Sequence, residues 1–328
     1  MAPDLIIPDR VSPALLDTHA LPTLVAGAGP HVGLCFLEFF AAAIRNPHTR
    51  RAYGQAVAAF LAWCEGEAGI RSLVAVQPLH VAAWIELQTR EHFPPTAKQR
   101  LAALRRLFDW LVTGQVLPTN PAASVRGPRH SALKGKTPVL DAAEARQLLD
   151  SIDVSTQAGL RDRALIALMV FSFARVGAAL GLSVADVYTQ NRRLWVRLRE
   201  KGGKRHEMPC HHTLNEYLHA YLDGTDIAED AKGPLFRTIG RGTGKLTRTP
   251  LPQANAYAMI QRRAAAAGIE TKIGNHTFRA TGITAYLKSG GTLENAAAMA
   301  NHASTRATQF YNRRRDEISL DEVERIRI

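Results

Sequence analysis

Apolar positions recur at helical spacing through most of the first 127 residues. Leu34, Leu37, Phe40, Ala41 and Ile44 step at three and four, which predicts a helix. Asn46-Pro47-His48-Thr49 then reads as a loop and cap, with Thr49 as the N-cap. The next helix carries Tyr53, Val57, Phe60, Leu61 and Trp63–Cys64 on its apolar side. A shorter one is predicted over 79–89, with Val81, Trp84 and Ile85 inward. After Pro94-Pro95, Leu101, Leu104, Phe108 and Leu111 mark another inward face, and Asn120-Pro121 closes the block. Residues 1–30 are rich in Pro, Gly and small side chains without a sustained period. They read as a flexible arm ahead of a helical bundle over 31–128.

The pattern changes after a basic linker, whose glycine, proline and lysine-arginine content begins at 124 and which we bound at 129–137. Asp141 followed by Glu144 predicts a capping box at the start of a helix. Residues 161–173 form the most apolar stretch and predict a central buried helix. It runs into Arg175, whose guanidinium is costly to bury unless it meets an anion or a carboxylate. Residues 194–198 alternate as a strand, 201–205 form a glycine turn, and 206–209 begin the return strand of a hairpin. Helices follow over 212–222 and 253–267. Between them, 240–250 reads as a basic, glycine-containing loop without the spacing of a phosphate-cradling P-loop. The fold class is mainly α with a small β-sheet, in two domains, 31–128 and 138–328. No repeat of 20–50 residues is apparent.

Charge narrows the function. Of 328 residues, 41 are Lys or Arg and 29 Asp or Glu, a formal net charge of +12. That excess calls for a polyanionic partner, nucleic acid before anionic membrane. It is spread over both halves, which suits a clamp better than an enzyme with one basic tail. Cys35, Cys64 and Cys210 are too few and too scattered for a disulfide framework or a Cys-x-x-Cys metal site. No apolar run of signal-peptide or membrane-spanning length is present, so a cytoplasmic, bacterial nucleoid-associated location is expected. One threonine and a set of arginines and lysines near helix starts, in the linker and at the loops are the candidate DNA contacts: Thr49, Arg50, Arg51, Lys98, Arg100, Arg105, Arg129, Lys134, Lys136, Lys204, Arg205, Lys245 and Arg248.

The candidate chemistry is concentrated between Asn275 and Tyr311. His276 stands three residues before Arg279, and His302 stands nine before Tyr311. Five segments, in order, resemble the phage-integrase or tyrosine-recombinase family. A-R-V-G-A-A-L-G-L at 174–182 looks like its first-arginine box, and R-E-K-G-G-K-R-H-E-M-P at 199–209 like its lysine hairpin. H-T-F-R at 276–279 matches its His-x-x-Arg, N-H-A-S at 301–304 its second histidine, and T-Q-F-Y at 308–311 its nucleophile. The bundle, including T-R-R-A-Y at 49–53, is similar to its SAM-like core-binding domain. Two positions depart from the pattern. Ala178 stands where the family usually carries a glutamate, and Asn301 where it carries a glycine.

The resemblance implies a helical core-binding domain and a mixed α/β catalytic domain closing on DNA as a C-clamp. It implies Tyr311 as the nucleophile that forms a 3′-phosphotyrosine, and His276 as proton acceptor. Arg175, Arg279 and His302 would stabilise the phosphate, and Lys201 would be the general acid, with Lys204 three residues on as the alternative. No metal or other cofactor is expected, because cations and donors replace one. The implied activity is site-specific recombination of double-stranded DNA, serving integration, excision or transposition of a mobile element. It would run in a homo-tetramer on paired sites, monomeric or dimeric in solution, with a C-terminal segment from about 316 exchanged between protomers. A type IB topoisomerase-like enzyme and a non-catalytic DNA-binding protein of the same fold are the alternatives.

Overall fold

A computed structural model describes residues 21–130, 137–200, 205–302 and 304–311. The expectations placed on residues 1–20, on Lys134, Lys136, Lys201 and Lys204, and on an exchanged tail at 316–328 lie outside the described residues. The chain divides into two compact units near residue 131.

The first unit is helical. It comprises α1 (Thr23–Ala26), α2 (Pro30–Glu38) continuing through a π-helical turn (Phe39–Ala43), α3 (Pro47–Gly66), α4 (Pro78–Glu91) and α5 (Pro94–Thr113). Its core is aromatic: Phe60 meets Trp84 edge-on at 5.3 Å and Phe108 at 6.1 Å. These rings bring large apolar area and favour such edge-to-face contacts. Three sequence expectations are corrected. Residues 21–30 are not part of a loose arm. Leu24 and Val25 are buried in this core, and the Leu24 amide donates to Glu65 Oε1 at 2.8 Å. The inward face of α2 is Val32, Cys35, Phe36, Phe39 and Phe40, while Leu34 and Ala41 face out. These inward positions and buried Ile44 still step at three and four, so the helical period holds and the predicted face is misplaced at Leu34. Finally, Asn46 rather than Thr49 caps α3, accepting from the amides of His48 at 2.9 Å and Thr49 at 3.2 Å, with Pro47 at the first helical position.

The second unit packs helices around two small sheets. Helix α6 (Ala142–Asp150) opens with the expected capping box, the Glu144 amide donating to Asp141 and the Asp141 amide to Glu144. Helix α7 (Gln157–Phe171) is central, with residues 164–169 all buried. A short α8 (Val176–Leu180) leads to β1 (Val187–Gln190), β2 (Arg193–Arg199) and β3 (Arg205–Pro209), an antiparallel sheet in that order. Then come α9 (His212–Asp223), β4 (Arg237–Ile239) and β5 (Leu246–Pro250), which pair antiparallel, and α10 (Gln253–Ala266). Part of the stretch read as a loop over 240–250 is thus a strand. The last elements are α11 (Asn275–Lys288), α12 (Leu293–Met299) and α13 (Thr305–Gln309).

Two features place the site. Alternation along β2 turns Leu194, Val196 and Leu198 inward, and the same parity carries on to Glu200, which is buried. Helix α11 lies directly on α7 because residue 282 is glycine. A Cβ there would stand 2.0 Å from the Val170 carbonyl oxygen and 2.8 Å from the Phe173 ring.

Candidate active site

Arg279 is the buried hub of the candidate site. It sits one turn along α11 from His276, so the two side chains leave the helix on neighbouring faces. Its guanidinium donates to the Phe173 carbonyl and, at 2.6 Å each, to the Ala300 carbonyl and His302 Nε2. The loop after α7 supplies the first of these acceptors. Phe173 holds a positive φ of 54°, a conformation uncommon for a bulky residue, and turns its carbonyl toward Arg279.

Arg175 follows at the N-cap of α8 and forms an ion pair with Glu200. The other oxygen of that carboxylate lies 3.9 Å from Arg279. The side chains of Glu200 and Arg279 are only 4% and 3% exposed, whereas that of Arg175 is 36% exposed. Arg175 therefore meets the carboxylate its position demands while keeping part of its surface open.

His302 and Tyr311 arrive from the α12–α13 end. Asn301 takes φ 46° as the chain leaves α12. Glycine adopts that left-handed conformation freely, and asparagine tolerates it better than most other residues do. His302 Nδ1 then meets the hydroxyl of fully buried Thr308 at 2.7 Å. A guanidinium only donates, so Nε2 accepts from Arg279 and the ring proton is on Nδ1. Tyr311 stacks on His302, ring centroids 6.2 Å apart and 10° from parallel. Its backbone is held by Thr308 and Thr284, and its ring packs against the small cluster of Phe173, Ile283, Leu287, Ala296 and Ala300.

The cations shape the local proton affinities. Burial, then Arg279 and Arg175, hold His302 down to about 4. His276 is exposed as a residue, yet desolvation of its ring and the same two arginines hold it below the ordinary imidazole value. Both histidines are neutral at pH 7. Arg279 is lowered to about 10 by burial and by Arg175, with Glu200 and Tyr311 pulling it back up, and so remains charged.

Five nominated residues, Arg175, His276, Arg279, His302 and Tyr311, are thus gathered at one place, linked by hydrogen bonds, ring stacking or direct electrostatic influence. Matches to known families now bear on what that gathering is. Residues 138–317 match the model of the phage integrase family, and residues 36–115 that of the phage integrase N-terminal SAM-like domain.

The chain belongs to the phage integrase family.

Members of this family cleave and rejoin DNA through a tyrosine nucleophile. Tyrosine recombinase XerC of Escherichia coli O157:H7 (strain EC4115 / EHEC) is 28% identical to this recombinase over 216 residues, covering 65% of this chain and 67% of that protein. In fold this chain is similar to the XerH site-specific recombinase bound to palindromic difH substrate (TM-score 0.67, 20% identity, 92% of this chain and 86% of that one). It is similar also to a lambda integrase (75–356) dimer bound to a COC′ core site (TM-score 0.64, 18% identity, 86% and 94%).

The nominated DNA contacts divide by what their side chains already do. Arg51, Lys98, Arg129, Arg205, Lys245 and Arg248 are exposed. Arg105 instead clasps the Ala122 carbonyl at 3.2 Å and that of Val125, and Arg50 holds the Ile44 carbonyl at 2.9 Å. Both use Nε and Nη2 to hold backbone carbonyls of the first unit. Arg100 lies 6.0 Å over the Trp84 ring, and half-buried Thr49 gives its amide to Asn46. Glu200 and Thr308 were not nominated from sequence. The inward parity of β2 is a signal for Glu200, but Thr308 had none.

Proposed function

We propose that this recombinase cuts and rejoins double-stranded DNA at a specific site with Tyr311 as its nucleophile. The observation that supports it is the convergence of Arg175, Arg279, His302 and Tyr311 in one linked cluster drawn from separate segments. Tyr311 Oη attacks the phosphorus and forms a 3′-phosphotyrosine as the bond to the 5′ oxygen breaks. Neutral His276 takes the phenol proton, and a lysine of the 201–204 segment, Lys201 before Lys204, protonates the 5′ oxygen as it leaves. Arg175 and Arg279 hold the non-bridging oxygens, where planar donors fit growing negative charge. His302 keeps Arg279 in place until the phosphate arrives, and then donates once its proton moves to Nε2. The reverse sequence reseals the strand, so the bond energy is kept in the phosphotyrosine and no cofactor is consumed.

The same reading has four protomers act on two paired sites in the cytoplasm to integrate, excise or transpose a mobile element. Capture from a random-sequence duplex pool tests it. The parent chain should form a covalent protein–DNA adduct that resists denaturant, and Tyr311→Phe should form none while still binding DNA. An adduct of equal yield in Tyr311→Phe would refute the assignment. Strand exchange between two captured duplexes is expected as well, and relaxation of supercoils without exchange would point to a topoisomerase-like enzyme instead.

A further inference from the structure

Two guanidinium groups close together in a buried site repel one another, and neither can shed its proton at pH 7. Arg175 and Arg279 are such a pair, close enough that Arg175 depresses the proton affinity of Arg279. The residue three positions after Arg175 is Ala178, buried on α8 and without a charge to offer. The counter-charge comes from a different element. Glu200, just past the end of β2, places one carboxylate oxygen on Arg175 and the other 3.9 Å from Arg279. Burying a carboxylate is unfavourable unless nearby cations offset the lost hydration. The inward parity of β2 and the two arginines meet that condition together.

We infer that Glu200 is the positioning residue of this site, a single carboxylate that holds Arg175 and Arg279 at the spacing a scissile phosphate needs. The inference rests on the reading of the site given above. The carboxylate spans the gap between the loop after α7 and helix α11. It engages Arg175 through Nη1, and the 36% exposure of that side chain leaves it open to a phosphate. Its geometry also makes the arginine pair depend on where β2 ends, so the hairpin and the arginines are set by one contact.

The test uses the full chain and a duplex captured covalently from a random-sequence pool, with single-turnover cleavage as the readout. Glu200→Gln keeps the shape and removes the charge. It should cleave about tenfold or more slowly than the parent, since small displacements of gripping groups are costly. Its DNA affinity should stay within roughly threefold, because exposed lysines and arginines carry most binding. A second substrate replaces the 5′ bridging oxygen with sulfur, a leaving group that departs without a proton. It should not restore the rate, because the defect is in gripping the phosphate. Parent-like cleavage by folded Glu200→Gln, or full recovery on the sulfur substrate, would overturn the inference. If Glu200→Gln does not fold, Glu200→Asp is read instead. Its shorter carboxylate cannot span both arginines, so it too should be slow, and a parent-like rate overturns the inference. Loss of adduct in the parent itself would instead bring down the reading of the site, and this inference with it.

Discussion

His302 stands between a guanidinium that can only donate and a threonine hydroxyl that can do either. That arrangement, with burial and two nearby positive charges, makes its imidazolium form costly. A folded-state value of about 4 against an ordinary 6.5 means that the unfolded chain binds more protons between those limits. Stability from this group is therefore complete above about 6.5 and is lost as pH falls toward 4. His302→Gln, which keeps a polar group but does not titrate, should flatten that slope. Urea unfolding at pH 7 and pH 5 should show the parent losing on the order of 1 kcal/mol more than the variant, after discounting for the ring's partial exposure. An equal loss in both would contradict the assigned neutral state. At this scale the sequence nominated the cations and the tyrosine through spacing, and the structure brings the described ones together. It could not nominate Glu200 as their partner, because the contact joins positions 25 and 79 residues apart. Nor could it show that Arg50 and Arg105 hold backbone carbonyls, since the carbonyls they reach are set by the fold.

Among the elements, α11 does the most to assemble the site. It carries His276 and Arg279, and its Gly282 lets it approach α7 until the Phe173 carbonyl reaches Arg279. Gly282→Ala should improve intrinsic helix propensity by up to about 1 kcal/mol. The added methyl would nevertheless collide with the Val170 carbonyl and the Phe173 ring. We expect a net loss of about 2 kcal/mol in thermal or urea unfolding, the usual scale of overpacking. A more stable Gly282→Ala protein would show that α7 and α11 are not in contact as described. The long helices were legible because each repeats its apolar face over several turns. The strands β1, β4 and β5 were not, because three to five residues hold too few alternations to stand out. Their pairing is decided by neighbours distant in sequence.

On the scale of the whole molecule, the positive charge is the dominant property. The net charge of +12 includes exposed cations in both units, Arg51 and Lys98 in the first and Lys245 and Arg248 in the second. DNA binding should weaken steeply between 50 and 200 mM salt through counterion release. Lys98→Ala or Arg248→Ala should each reduce the slope of log K against log salt by about 1 while weakening all sequences alike. Arg105→Ala should differ. It should lower the melting temperature of the first unit, because its loss orphans the Ala122 and Val125 carbonyls, and leave the salt slope nearly unchanged. Fluorescence anisotropy across a salt series, alongside melting curves, separates the two outcomes.

The sequence alone determined the helical character of the first unit, the mixed character of the second and the polyanionic partner, and it nominated most residues of the candidate site. Helical period, capping residues, net charge and short motifs are local properties, and a chain carries them wherever it folds. The tertiary structure alone decided which carboxylate faces the arginines, which arginines also hold backbone carbonyls, which tautomer His302 holds and how closely α11 approaches α7. Each of those depends on distances between residues far apart in the chain. A buried charge or an unshared carbonyl is stabilised only by the neighbour that folding brings to it.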